Sequence, residues 1–229
     1  MLADADLSGV AELMSSHRAS MLLALIGGRP LDAGELATRA GISPSLASSH
    51  LSRLLDGGLV EVEQHGRRRV YRLANAEVAG VIEAMLSIAP TRMATNLRES
   101  RRGDAIRRAR TCYDHLAGEI GVALTESLQR QRLLDTGDGS YQLTSLGERR
   151  LTTLGIDVPV LRAERRAFAR PCLDWTERRP HLAGALGAAV AGQLLELEWF
   201  TRVPGTRALR VTDAGRRGLL QEFALNLGG

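Results

Sequence analysis

The chain has 229 residues, 44% of them apolar and 24% charged, with a formal net charge of +4. That length and balance fit one large or two ordinary folded domains and exclude a disordered chain. No apolar run approaches the ~18 residues of a membrane span, and the acidic start MLADADLSG lacks the basic and apolar segments of a signal peptide. With only two cysteines a structural disulfide is not expected, so the expected setting is the reducing cytoplasm, with no membrane partner.

All 30 basic residues are arginine, whose forked, permanently charged donor suits phosphate. Their distribution is uneven: 8 Arg against 10 acids in residues 1–90, 7 against 2 in 91–110, and 15 against 14 in 111–229. Overall charge is therefore weak evidence for a polyanionic partner. Local clusters have to carry that argument.

In chain order, residues 9–28 (GVAELMSSHRASMLLALIGG) predict two short helices. Leu13, Met14, Leu22, Leu23, Leu25 and Ile26 supply apolar faces, Ser15 or Ser16 is a cap, and Gly27-Gly28 is a stop. Asp32 caps a third helix, AGELATRAG, that ends at Gly41. Ser43 and Pro44 then open a fourth, terminated by Gly57-Gly58. On that fourth helix Ala47, Leu51, Leu54 and Leu55 share one face, while Ser45, Ser48, Ser49, Ser52 and Arg53 fall opposite. LVEVEQ and RRRVYRL alternate as strands of a hairpin carrying Arg67, Arg68, Arg69 and Arg72 at and beyond its tip.

Two helices around a tight glycine turn, followed by an arginine-tipped hairpin, describe a winged helix-turn-helix. The second helix of such a pair suits the major groove of double-stranded DNA, where small polar side chains and an arginine reach base edges. The expected DNA-binding residues are Ser43, Ser45, Ser48, Ser49, His50 and Arg53 on the helix, with Arg67, Arg68 and Arg69 on backbone phosphates.

Residues 10–73 resemble the winged-helix domain of ArsR-type bacterial repressors. The resemblance rests on the S-x-S-x-x-S-x-H-L-x-x-L run at 43–54, the GLV step into the wing and the GRRRVYRL second strand. It implies a homodimer on a palindromic operator, with the helix after the wing in the dimer contact. That helix, NAEVAGVIEAMLSIA, sets Val78, Val81, Ile82 and Met85 on one stripe with Leu86. Such a stripe serves dimerisation or an ordinary core. Many ArsR-type metal sensors place cysteines in the third helix or His, Asp and Glu ligands after the wing. Here the third helix has neither Cys nor His, and the helix from Asn75 offers only Glu77 and Glu83. The resemblance supports DNA binding and not metal sensing at those sites.

Residues 91–110 form an arginine-rich helical connector, either lying along DNA or simply solvated. Beyond it, residues 111–229 repeat themselves. HLAGEIGV at 115–122 and HLAGALGA at 181–188 each lead into a helix, a hairpin and a T-x-x-G step, with 29 and 31 residues from His to Thr. ELATRAGI at 35–42 shares the x-L-A-x-x-x-G pattern, so the later units read as shortened winged-helix modules without a groove face. The expected fold is mainly α with small β-hairpin wings. It comprises a DNA-binding and dimerisation domain over 1–90, the connector over 91–110, and a C-terminal effector-sensing module over 111–229 built of two degenerate winged-helix-like repeats.

HLAG is first a structural signature. A zinc site from Cys112, His115, Cys172 and His181 is chemically conceivable. Against it stand the unequal Cys-to-His separations, three residues in one copy and nine in the other, so no metal or cofactor is expected. Seven of the eight aromatics lie after residue 110. They serve core packing, or a pocket for a small-molecule effector around Trp175 and Trp199, with Cys112, Cys172, His115 and His181 as further candidates.

No nucleophile elbow, phosphate-binding loop, G-x-G-x-x-G or H-E-x-x-H occurs, so no catalytic residues and no enzyme activity are expected. The reading is a sequence-specific DNA-binding transcriptional regulator, a homodimeric repressor. The alternatives are a metal- or thiol-responsive regulator using the Cys/His set, or a non-specific architectural DNA-binding protein.

Overall fold

The structure is a computed structural model that describes residues 15–66, 68–90 and 95–228. Leu13, Met14 and Arg67 lie outside these residues. Two compact units divide the chain, residues 1–82 and 83–229. Among the described residues no helix is long and apolar enough to cross a membrane.

The first unit begins with α1 (Ser16–Leu25), which buries Arg18, Met21, Leu22 and Leu25. Leu23 faces out instead of joining that apolar face. Ser15 precedes the helix but its side chain makes no capping bond. A short β1 (Leu31–Asp32) leads into α2 (Ala33–Ala40). Asp32 and Glu35 form a capping box there, and Gly41 closes the helix with a left-handed φ of 67°. Next, α3 (Pro44–Asp56) starts on Ser43, whose side chain accepts from the Leu46 N–H. It buries Ala47, Leu51 and Leu54, each leucine contributing about 1.5–3 kcal/mol. The strands β2 (Val60–His65) and β3 (Arg68–Leu73) form the antiparallel wing, and β1 adds to β3 to complete a three-stranded sheet. Then α4 (Ala76–Ile88) follows, its first turn capped by Asn75 Oδ1 accepting from Val78 N; from Glu83 onward the helix belongs to the second unit.

In the second unit α5 (Leu97–Arg108) is capped by Asn96. The duplication is then explicit. The first repeat runs β4 (Arg110–Cys112), β5 (His115–Ala117), α6 (Glu119–Arg130), β6 (Leu134–Gly137), β7 (Ser140–Leu143) and α7 (Ser145–Thr153). After α8 (Val158–Arg162), the second runs β8 (Arg170–Leu173), β9 (Pro180–Ala183), α9 (Gly184–Glu196), β10 (Phe200–Arg202), β11 (Leu209–Val211) and α10 (Asp213–Phe223). The T-x-x-G steps are helix caps: Thr144 accepts from Gly147 N at 3.0 Å and Thr212 from Gly215 N at 2.9 Å.

The pattern shared with ELATRAGI is met by a different local structure. Leu36 lies inside α2 and Gly41 ends it, whereas Leu116 and Leu182 lie on strands and Gly121 and Gly187 sit near the start of helices. His115 and His181 are likewise strand residues. The HLAG glycines have their own reason: Gly118 and Gly184 adopt φ of 83° and 86°. A Cβ there would meet backbone carbonyls at 2.5 and 2.6 Å.

The repeats interlock, with α9 packing on β5 and α6 on β9. Thr125 Oγ1 on α6 accepts from Leu182 N on β9 at 2.8 Å. One core results, shared by Leu116, Ile120, Leu128, Leu186, Phe200 and Phe223.

Candidate functional site

On α3 the face opposite the buried leucines is open. Ser45, Ser48, Ser49, Ser52 and Arg53 are all exposed, as is the capping Ser43. Their side chains are held in this direction because Ala47, Leu51 and Leu54 anchor the other side of the helix. His50 differs. It is half-buried, and its Nδ1 accepts from Arg18 NH1 at 3.1 Å. Burial, then Arg18, His17 and Arg53, hold its pKa below the ordinary value. It therefore stays neutral and ties α3 to α1, adding no charge to the open face.

At the wing Arg68 and Arg69 are exposed and, among the described residues, have no ion-pair partner. Arg72 is committed elsewhere, at 2.8 Å from Glu61 and 2.6 Å from Glu63. On α4, Val81, Met85 and Ile88 are 58%, 38% and 82% exposed, whereas Ile82 is buried and Val78 half-buried. The exposed apolar line is thus Val81, Met85 and Ile88, one turn apart along the helix.

In the second unit the four Cys and His candidates come together. The two hairpins have the same register, with Cys112 opposite His115 and Cys172 opposite His181. The unequal spacing along the chain is only a longer loop between β8 and β9, which leaves that pairing unchanged. Cys112 Sγ and Cys172 Sγ lie 3.9 Å apart, and His115 Nε2 and His181 Nε2 3.1 Å apart. All four residues are buried, with ligand atoms within 4.8 Å of one another.

Behind them stand residues the motif reading passed over. Asp174 and Arg110, both fully buried, pair at 2.8 Å. Asp174 also accepts from Gly118 N, Thr176 N and Oγ1, and Glu177 N. Its carboxylate lies 3.2 Å from His181 Nδ1, close enough for charge to act although off the line of a full hydrogen bond. Burial alone would raise the Asp174 pKa, but His181, Arg110 and Thr176 outweigh it and hold the carboxyl well below the usual range. In the first repeat Asp114 sits 3.1 Å from His115 Nδ1 and 2.6 Å from Arg166. The available signal was a longer repeat, A-R-x-C-x-D at both 109–114 and 169–174.

The tryptophans have separate surroundings. Trp199 meets Phe223 edge-on at 6.4 Å, and Trp175 lies within 5.0 Å of the Arg110 guanidinium and 5.9 Å of that of Arg207. Arg207 in turn pairs with Glu83 at 2.6 Å.

An open serine and arginine face on the second helix of a helix-turn-helix, beside an arginine-tipped ribbon, defines a winged helix-turn-helix DNA-binding protein. The MarR family profile matches residues 14–69. The uncharacterized HTH-type transcriptional regulator YdfF of Bacillus subtilis (strain 168) is 47% identical over 212 residues, spanning 92% of this chain and 94% of that protein. The chain belongs to this family of HTH-type transcriptional regulators. The HTH-type transcriptional regulator YgaV of Escherichia coli (strain K12) is 29% identical over 82 residues, 35% of this chain and 83% of its own. Among solved structures, HlyU from Vibrio cholerae N16961 matches at 30% identity over 34% of this chain and 85% of its own, with a TM-score of 0.32.

Proposed function

We propose that the chain is an ArsR-type repressor of the cytoplasm that binds a palindromic operator as a homodimer. The observation that carries this reading is the open face of α3, with Ser45, Ser48, Ser49 and Arg53 all exposed above an anchored apolar side. In this reading α3 enters the major groove, Ser43 supports the backbone contact at its start, and Arg67, Arg68 and Arg69 press on phosphates. The second unit modulates operator affinity in response to an effector. Self-association is supported by the exposed Val81, Met85 and Ile88 on α4, residues that a lone chain gains nothing by presenting to water.

Two measurements test it. Light scattering of the chain with operator should give two chains per duplex, and the double variant Val81→Asp/Met85→Asp should give monomers with weakened operator binding. A variant that still dimerises would remove α4 from the contact. Replacing Arg68 and Arg69 with alanine should weaken binding to every duplex alike and flatten the dependence of log K on log salt by about 1 for each lost phosphate contact. An unchanged slope would take the wing off the DNA.

A further inference from the structure

We infer that Cys112, His115, Cys172 and His181 form a closed, four-coordinate zinc site that staples the two C-terminal repeats together. Each repeat supplies one cysteine and one histidine from a hairpin in identical register. The ion would therefore add a direct cross-link between hairpins that are covalently connected only through the intervening chain.

The geometry suits zinc. With Zn–S near 2.3 Å and Zn–N near 2.0–2.1 Å, a tetrahedron has an S–S edge of about 3.8 Å and an N–N edge of about 3.3 Å. The corresponding separations are 3.9 and 3.1 Å. The whole set lies within 4.8 Å, a span that side-chain rotation can close.

The surroundings point the same way. His115 Nδ1 faces Asp114, and His181 Nδ1 faces Asp174. A carboxylate beside Nδ1 favours the tautomer with its proton on that nitrogen, which leaves the Nε2 lone pair for a metal, and such carboxylate–histidine pairs are the usual outer support of zinc ligands. Both carboxylates are themselves anchored, Asp114 by Arg166 and Asp174 by Arg110. Without an ion, two Nε2 atoms oriented in this way would confront each other at 3.1 Å in a buried interior. With a divalent ion, two thiolates and two neutral imidazoles make a set of zero net charge, which removes the cost of burying it. Gly187 contributes room: a Cβ there would come within 3.3 Å of His115 Cβ.

A disulfide between the cysteines would account for the sulfur atoms alone. It would leave the facing imidazoles and their paired carboxylates without a purpose. Four filled positions with no open one also make this a structural centre, distinct from a catalytic one.

The test uses the tag-free full-length chain purified under reducing conditions. Metal analysis should find one zinc per chain. Cobalt(II) exchanged into the site should show the visible absorption of a tetrahedral ion together with thiolate-to-metal charge transfer. Both thiols should resist a thiol reagent until a strong chelator is added. Cys172→Ser and His115→Ala should each lose the bound zinc; because either can misfold, the cobalt spectrum of the unaltered chain carries the test independently. A folded chain without stoichiometric zinc would overturn the assignment. So would a different stoichiometric metal, a cobalt spectrum lacking thiolate charge transfer, or an intramolecular disulfide found by mass. None of these outcomes bears on operator binding, which is read through α3 and the wing.

Discussion

Replacing Asp174 with alanine is expected to destabilise the second unit by about 3–5 kcal/mol, the cost of leaving a buried charge without its partner. Arg110 is fully buried, and Asp174 is the carboxylate it pairs with. Its remaining bonds go to Thr176 Oγ1 and the Ile106 carbonyl, both neutral. The same substitution strips an acceptor from the N–H groups of Gly118, Thr176 and Glu177. Chemical denaturation followed by tryptophan fluorescence reports on this unit, because both Trp175 and Trp199 lie within it. Removing both partners, as Arg110→Met with Asp174→Leu, should recover the part of the loss that comes from the uncompensated charge, while the three N–H groups remain without that acceptor. If Asp174→Ala were as stable as the parent, Arg110 would have to find water or another acid, and the buried pair could not be what organises the β8–β9 loop.

The second large effect is expected at Arg53. Alanine there should cost about 1–3 kcal/mol of discrimination at a single operator position, roughly 5- to 150-fold, while leaving affinity for unrelated duplexes nearly unchanged. Arg53 is exposed in the last turn of α3 and, among the described residues, pairs with no buried group, so stability should not change with it. Fluorescence anisotropy against the operator and its single-base variants checks this. A uniform loss across all sequences would make Arg53 a phosphate contact and shift base recognition to the serines.

The first unit was legible because its signals are local. Asp32 and Glu35 stand three apart and close a capping box; Ser43 and Pro44 adjoin and start α3. The apolar period of α3 then sorted its faces, and the structure keeps that sorting. The T-x-x-G caps of the repeats are local in the same way. His50 was harder, since its tie to Arg18 spans 32 positions and no local pattern announces it.

The Cys/His cluster shows where spacing misleads. In a hairpin, cross-strand register decides which residues face each other, and a loop can lengthen without altering it. A separation of three residues from Cys112 to His115 and of nine from Cys172 to His181 therefore gives the same pairing. The contact between the two hairpins joins residues some 60 positions apart, such as Cys112 with Cys172. Only the duplication hinted at it. ELATRAGI and the HLAG segments differ for a related reason: a short pattern of leucine, alanine and glycine satisfies a helix end in one place and a strand-to-helix step in another.

In vitro selection from a pool of random duplexes bears most directly on the reading of α3 as a groove-binding helix presented by a symmetric pair. A palindrome should be enriched whose half-sites lie one helical turn apart, about 10–10.5 base pairs centre to centre, or a multiple of that. The Arg53→Ala chain should select the same palindrome with one position relaxed in each half. A pool that remains unenriched at low salt, or a consensus without two-fold symmetry, would contradict that reading.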